Sequence, residues 1–291
     1  MTIQLLDTTL ELTDRLKAMG VPLPSAMKRR DPKEPGRRRK EKTEDAIYRA
    51  FLTEFRRQKY ELRQVIAQLA PDRKTLFGYD ADYYMSYVDG ILKSDDFLAK
   101  IARLLVAASA AGIDIFQELI PLQIDYTLVN TVAAKWAVEH AAELVDLVEG
   151  TTRESISRVI SNFVKTPGMT IGDIFRELEP TYGERRALLI ANNETTNVYA
   201  NADKLAGEAL KAEYPEVLVI KRWNTNRDAK VCPICRPMNN LVVPIDEMFI
   251  HPETGVAYDG PSAHIGCLCW RTTTTRISGE IAADEYGGRK P

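Results

Sequence analysis

The sequence predicts an α+β protein, with a mostly helical N-terminal and central region and a small, mixed C-terminal segment stapled by a metal ion. Three observations carry this reading. Apolar residues return at helical spacing across residues 44–178 and again from Tyr182 to Glu213. β-branched runs of strand length appear only after that, at "VLVIKRW", "NLVVPI" and "RTTTTRI". All 4 cysteines of the 291-residue chain fall in two short clusters within this last segment, "VCPIC" and "GCLC".

Taken in order, the first twenty residues suit a short helix that "VPLPSAM" breaks. The stretch "KRRDPKEPGRRRKEK" holds prolines, a glycine and no apolar residue, so it reads as a flexible arm closing a first region, 1–43. Its cations include Arg29, Arg30, Arg37, Arg38, Arg39 and Lys40, a set that could meet nucleic acid or an acidic protein surface. Ile47, Phe51, Phe55, Leu62 and Ile66 form the buried stripe of the next helix, which Pro71 ends. Further helices follow to residue 178, with cap signals at Thr152 and Thr170. In the helix after Tyr182, Asn193, Asn197 and Asn201 recur every fourth residue beside Glu194. Asparagine is a middling helix former, so this column is either solvated surface or a polar contact face. A cysteine-bearing module spans 179–277, and 278–291 reads as a loose tail.

Composition bounds the function. The chain is 45% hydrophobic and 27% charged with net charge −2, as in a globular protein, and this balance does not suggest a general nucleic-acid binder. "IARLLVAASAAGIDIF" is interrupted by Arg103 and Asp114 and is too short to span a bilayer, so no membrane association is expected. Without a basic-then-apolar leader pattern, a cytoplasmic product is expected, where clustered thiols favour metal over disulfide.

Cys232 and Cys235 flank a turn that Pro233 restricts, a spacing that can present two thiolates to one tetrahedral ion. His264, Cys267 and Cys269 offer donors to close the site. The set is either the four cysteines or three of them with His264, and a structural zinc ion, one per chain, is the expected cofactor. A redox role for "CPIC" fits poorly, because Pro237 follows where the redox motif opens a helix. A four-donor set leaves no open position for a hydrolytic water, and Asp246, Glu247, Glu253 and Asp259 carry no base signal. His140 and His251 read as isolated.

The ordered set Lys221, Trp223, Asp228, Cys232, Cys235, Pro261, His264, Cys267 and Cys269 resembles the C-terminal part of the phage head morphogenesis family, the Mu F-like minor head proteins. The likeness covers roughly residues 150–277. Where that family has an arginine–threonine–glutamate element, this chain has Asn192, Asn193 and Glu194, so only the glutamate is kept. Asn239 and Asn240 stand where the family often has glycine. The resemblance implies a non-enzymatic component of a virion or procapsid head. It implies association with the portal and major capsid proteins during assembly in the host cytoplasm, with packaged DNA in reach of the basic arm. No nucleotide loop, H-E-x-x-H or serine elbow is present. The alternatives are a zinc-stabilised nucleic-acid-binding protein acting in packaging or ejection, and a metal-dependent nuclease or peptidase.

Overall fold

The computed structural model describes residues 30–69, 81–166, 169–226, 231–264 and 266–277. The expected first helix, Arg29, Asp228 and the tail 278–291 lie outside the described residues. The helices are α1 (Arg37–Leu69), α2 (Ala81–Leu92), α3 (Asp95–Leu119), α4 (Tyr126–Lys165), α5 (Ile171–Glu177), α6 (Glu179–Tyr182) and α7 (Glu184–Glu213). The strands are β1 (Val217–Asn224), β2 (Val242–Pro244), β3 (Phe249–Ile250), β4 (Ala257–Tyr258) and β5 (Trp270–Ile277). The α+β class stands, with strands confined to the C-terminal segment among the described residues.

The part of the arm that is described is not a flexible tether. α1 begins at Arg37, inside the stretch expected to stay unstructured, and Arg30, Glu34, Lys40 and Glu44 are buried. Arg30 donates to Glu44 and Glu34, both at 3.1 Å, and Lys40 donates to Glu34 at 2.9 Å. With its amide turned so that the nitrogen faces the carboxylate, Asn192 of α7 donates to Glu44 at 3.1 Å. Charges that looked unable to join a core enter it by compensating one another, the condition on which buried ions persist. Burial pushes the Lys40 pKa down and the Glu44 pKa up, each partly offset by its ionic partner. Gly36 makes the docking possible: its φ is 67°, and a Cβ there would meet the Ile115 side chain at 2.0 Å.

The cap signal at Thr170 is realised. Its hydroxyl accepts from Asp173 N, and Asp173 accepts from Thr170 N, closing a capping box on α5. The signal at Thr152 is not, because α4 runs unbroken through it. Thr152 Oγ1 instead donates to Val148 O at 2.6 Å and accepts from Arg186 at 2.7 Å. Arg186, also buried, donates to Thr181 O and Thr151 Oγ1, so its guanidinium ties α7 to α4 through neutral oxygens.

Three buried clusters share α7. Ala187, Ile190, Ala191, Val198 and Tyr199 join the large helical core with the α1 stripe and Ile101 and Leu105 of α3. Ala202, Ala206 and Leu210 pack with Phe116, Val129, Val219 and Ile245. Leu189 reaches the third cluster, where it meets Trp223 and the cysteines. Close approach of α3 and α7 needs Gly112, where a Cβ would sit 2.6 Å from Ala202. The antiparallel sheet β2-β1-β5 lies at the end of α7, with Ile220 opposite Pro244 and Thr274, and β3 and β4 form a separate hairpin. That hairpin is two residues per strand and carried no readable alternation. Among the described residues no helix is long and apolar enough to cross a membrane.

Candidate metal centre

The first limb of the site is a turn after β1. Cys232 O accepts from Cys235 N at 3.2 Å and from Arg236 N at 3.0 Å, and Cys235 N also points at Cys232 Sγ, 3.2 Å away. A short 3₁₀ turn, Arg236–Met238, carries the chain out of it, and Pro237 fits there because its missing N–H is not needed. The chain then reverses at Asn240, whose φ of 65° is one that asparagine tolerates best after glycine. The second limb turns at Gly266, with φ 74°, and Cys267 N donates to His264 O at 3.2 Å. Cys269 sits immediately before β5.

These limbs converge. His264 Nε2 lies 2.8 Å from Cys232 Sγ and 3.4 Å from Cys235 Sγ, and Cys235 Sγ lies 3.6 Å from Cys267 Sγ. Two triads able to hold a metal ion result, Cys232–Cys235–His264 and Cys235–Cys267–Cys269, and Cys235 belongs to both. All five donors are buried and no cysteine is in a disulfide. The Cys235–Cys267 spacing matches the sulfur–sulfur edge of a tetrahedron with metal–sulfur bonds of about 2.3 Å. A set of soft thiolates and one imidazole, with no carboxylate in either group, fits a borderline-soft ion such as zinc. The five donors share protons unevenly: the Cys232 and Cys267 thiols are held down while those of Cys235 and Cys269 and the His264 ring are held up, so ligation of a metal by the full set would release protons. Hydrogen bonding from Cys235, then from His264, holds the Cys232 thiol down at about 5 despite burial. Burial opposes a charged His264, but the Cys267 and Cys232 thiolates outweigh it and keep the ring well above its usual range.

The surrounding side chains fix the two limbs. His251, which the sequence left isolated, is buried and directs Nε2 to Ile234 O at 3.0 Å, inside the Cys232–Cys235 turn. Its Nδ1 accepts from Glu253 N and Thr254 N, which places the proton on Nε2. Thr196 of α7 donates to Cys267 O at 3.2 Å and accepts from Arg30 at 3.4 Å, so the cysteine loop and the buried ion network share one hydroxyl. Neither role was readable, because the partners lie far away in sequence.

Lys221 and Trp223 both point inward from β1. Lys221 donates to Asp259 Oδ1 at 3.0 Å and Asp259 O at 2.9 Å, with its ammonium over the Phe249 ring. Trp223 packs edge-on against Phe249 and Tyr258 beneath the cysteines. Asn193 and Asn197 both accept from Ser262, which makes this part of the asparagine column a contact face within the chain. Asn201 lies next on the same face, half-buried. Glu194 turns the other way and pairs with His140 of α4 at 2.6 Å. Of the arm cations, Arg30 and Lys40 are buried, while Arg37 pairs with Glu41 and Arg39 with Glu118 near the surface.

Residues 146–272 match the family described as Phage Mu protein F like protein. The matched segment runs from the second half of α4 into β5 and holds all five metal-binding candidates, Lys221, Trp223 and the asparagine column. The resemblance read from the cysteine spacing is borne out over this Mu F-like segment. No curated protein and no solved structure matches the chain.

Proposed function

We propose that this chain is a minor head protein of a tailed bacteriophage, acting without catalysis in head assembly and associating with the portal and major capsid proteins. Assembly would take place in the host cytoplasm, and the protein would remain in the procapsid or virion head. The observation that carries this reading is the Mu F-like match over 146–272, because it falls on the segment organised around the buried cysteine–histidine cluster. One structural zinc ion per chain completes the reading, held by Cys232, Cys235 and Cys267 with either His264 or Cys269 as the fourth ligand. The metal would supply a tetrahedral junction between the two limbs. The chain's own residues do the rest: His251 holds the first turn, Thr196 holds the second to α7, and Trp223 closes the apolar floor.

A metal-dependent nuclease or peptidase fits less well, since both triads are buried and filled with thiolate and imidazole donors. A zinc-stabilised nucleic-acid-binding module would need a reading helix between the cysteine pairs, where this chain has a 3₁₀ turn and short strands. Co-expression of the chain with the portal and major capsid proteins of the same phage tests the proposal. Cosedimentation of the chain with assembled heads is expected, lost in Cys235→Ser. Heads of full composition that never retain the chain, or turnover of a nucleic acid or peptide by the pure protein, would overturn it.

A further inference from the structure

The solvent face of α1 carries a charge pattern that the metal does not use and that side-chain packing engages at Arg63, whose guanidinium lies over the Phe175 ring 5.4 Å from its centroid. Arg38, Lys42, Arg49, Arg56 and Arg63 lie on one side of this helix, four of them repeating every seventh residue. At 3.6 residues per turn they occupy an arc of roughly 60° and, at 1.5 Å per residue, a line about 38 Å long. All five are exposed, and the Arg49 and Arg56 side chains are 74% and 69% accessible. The acids of the same helix are sorted away from this line. Glu44 and Glu54 are buried, and Glu41 and Glu61 sit to the sides, paired with Arg37 and Arg57. Asp45 alone stands among the cations, paired with Arg49, while Arg56 only grazes Glu184 at 3.8 Å. Arg38, Lys42 and Arg63 make no ion pair with any described residue.

We infer that this face of α1 is a binding surface for the phosphate backbone of duplex nucleic acid, read by charge and not by sequence. Helices that merely face water mix both signs at four-residue spacing, because such pairs stabilise the helix; here one sign is drawn out along a line. An acidic protein partner would be expected to find an apolar centre, and Tyr60 is the only large exposed hydrophobic on this line among the described residues. Four of the five cations are arginines, whose planar fork grips a phosphate with two parallel hydrogen bonds. The overall charge of −2 removes bulk attraction as an explanation, so any binding must be local. This surface also replaces Arg30 and Lys40 as the cationic contact, since those two are spent inside the protein. The inference stands apart from the metal and from the head-protein reading.

The test is fluorescence anisotropy of the full chain with a labelled duplex of arbitrary sequence, titrated at about 50 and about 200 mM salt. Five phosphate contacts give a slope of about −4.5 in log K against log salt, and so about a 500-fold loss across that range. In Lys42→Gln/Arg49→Gln/Arg56→Gln the slope should fall to about −1.8 and the loss to about tenfold. The control Lys100→Gln/Arg103→Gln/Arg158→Gln removes as much charge from exposed positions elsewhere and should bind like the parent. Circular dichroism melts establish that both triple variants remain folded. Equal weakening by both triples, or no salt-dependent binding by the parent, overturns the inference. So does displacement of the duplex by poly-glutamate at equal charge, which would point to an acidic protein.

Discussion

In the helical region, Ile47, Phe51, Phe55, Leu62 and Ile66 turn one stripe of α1 onto a core that runs through Ile101, Leu105, Leu144 and Ile156. In the C-terminal segment, the cluster around Trp223, Met238 and Phe249 includes all four cysteines themselves. The first region is held by removing apolar surface from water, at about 25 cal/mol per Å². The second has strands of two and three residues beside two longer ones, a loop-rich path and five polar donors in its centre, which is the balance in which small domains need a metal or disulfide. α7 belongs to both, so the segment has a rigid wall to fold against but must still join its two limbs. Cohesion by area and cohesion by ligation should therefore fail under different perturbations.

The widest separation is expected in Cys235→Ser, which removes the donor common to both triads. Metal should be lost entirely and the 231–264 loops should become protease-sensitive, with most of the helical circular dichroism kept; loss of the helices as well would erase the distinction. Arg30→Ala reverses the pattern. It leaves Glu44 buried without its cation and Glu34 with Lys40 alone, and should cost about 3–5 kcal/mol, read as a drop in the denaturant midpoint. Metal stoichiometry in the folded fraction should not change.

His251→Ala sharpens the comparison inside the segment. It deletes the hydrogen bond to Ile234 O but no ligand, so metal affinity in a chelator competition should fall by about 10–100-fold with the stoichiometry kept. The smallest effect belongs to Glu149, whose pKa burial and then Asp146 raise to about 7. A carboxyl raised in the folded state contributes stability that is complete below its unfolded value of 4.5 and is lost as pH rises through about 7. Glu149→Gln should then raise stability by about 1 kcal/mol at alkaline pH, after allowance for solvent screening, and by almost nothing in acid. Thermal melts at the two pH values check the sign.

What the sequence disclosed divides along the same line. The α1 stripe, α7, β1, β2 and β5 were legible because each has a period or a β-branched run that its own burial enforces. The cysteine and histidine set was legible because ligand spacing is local on each limb. The ion network at Arg30 was not, since a run of charges looks solvated until its partners, fourteen residues on at Glu44 and across the fold at Thr196, are known. Thr152 misled for a related reason. A hydroxyl that caps a helix start can equally bond back to the carbonyl four residues earlier, and only the partner Arg186 distinguishes the two. His251 and Thr196 left no signal, because each acts on a backbone carbonyl rather than on a motif side chain.

The central claim, that ligation holds the C-terminal segment together, is tested most directly by metal analysis of the purified, reduced chain coupled to hydrogen exchange before and after chelation. The account predicts one zinc per chain, and on its removal a selective loss of protection in 231–277 while α1, α3 and α4 stay protected. A chain that contains no metal, or one whose segment keeps its protection after the metal is gone, would contradict it.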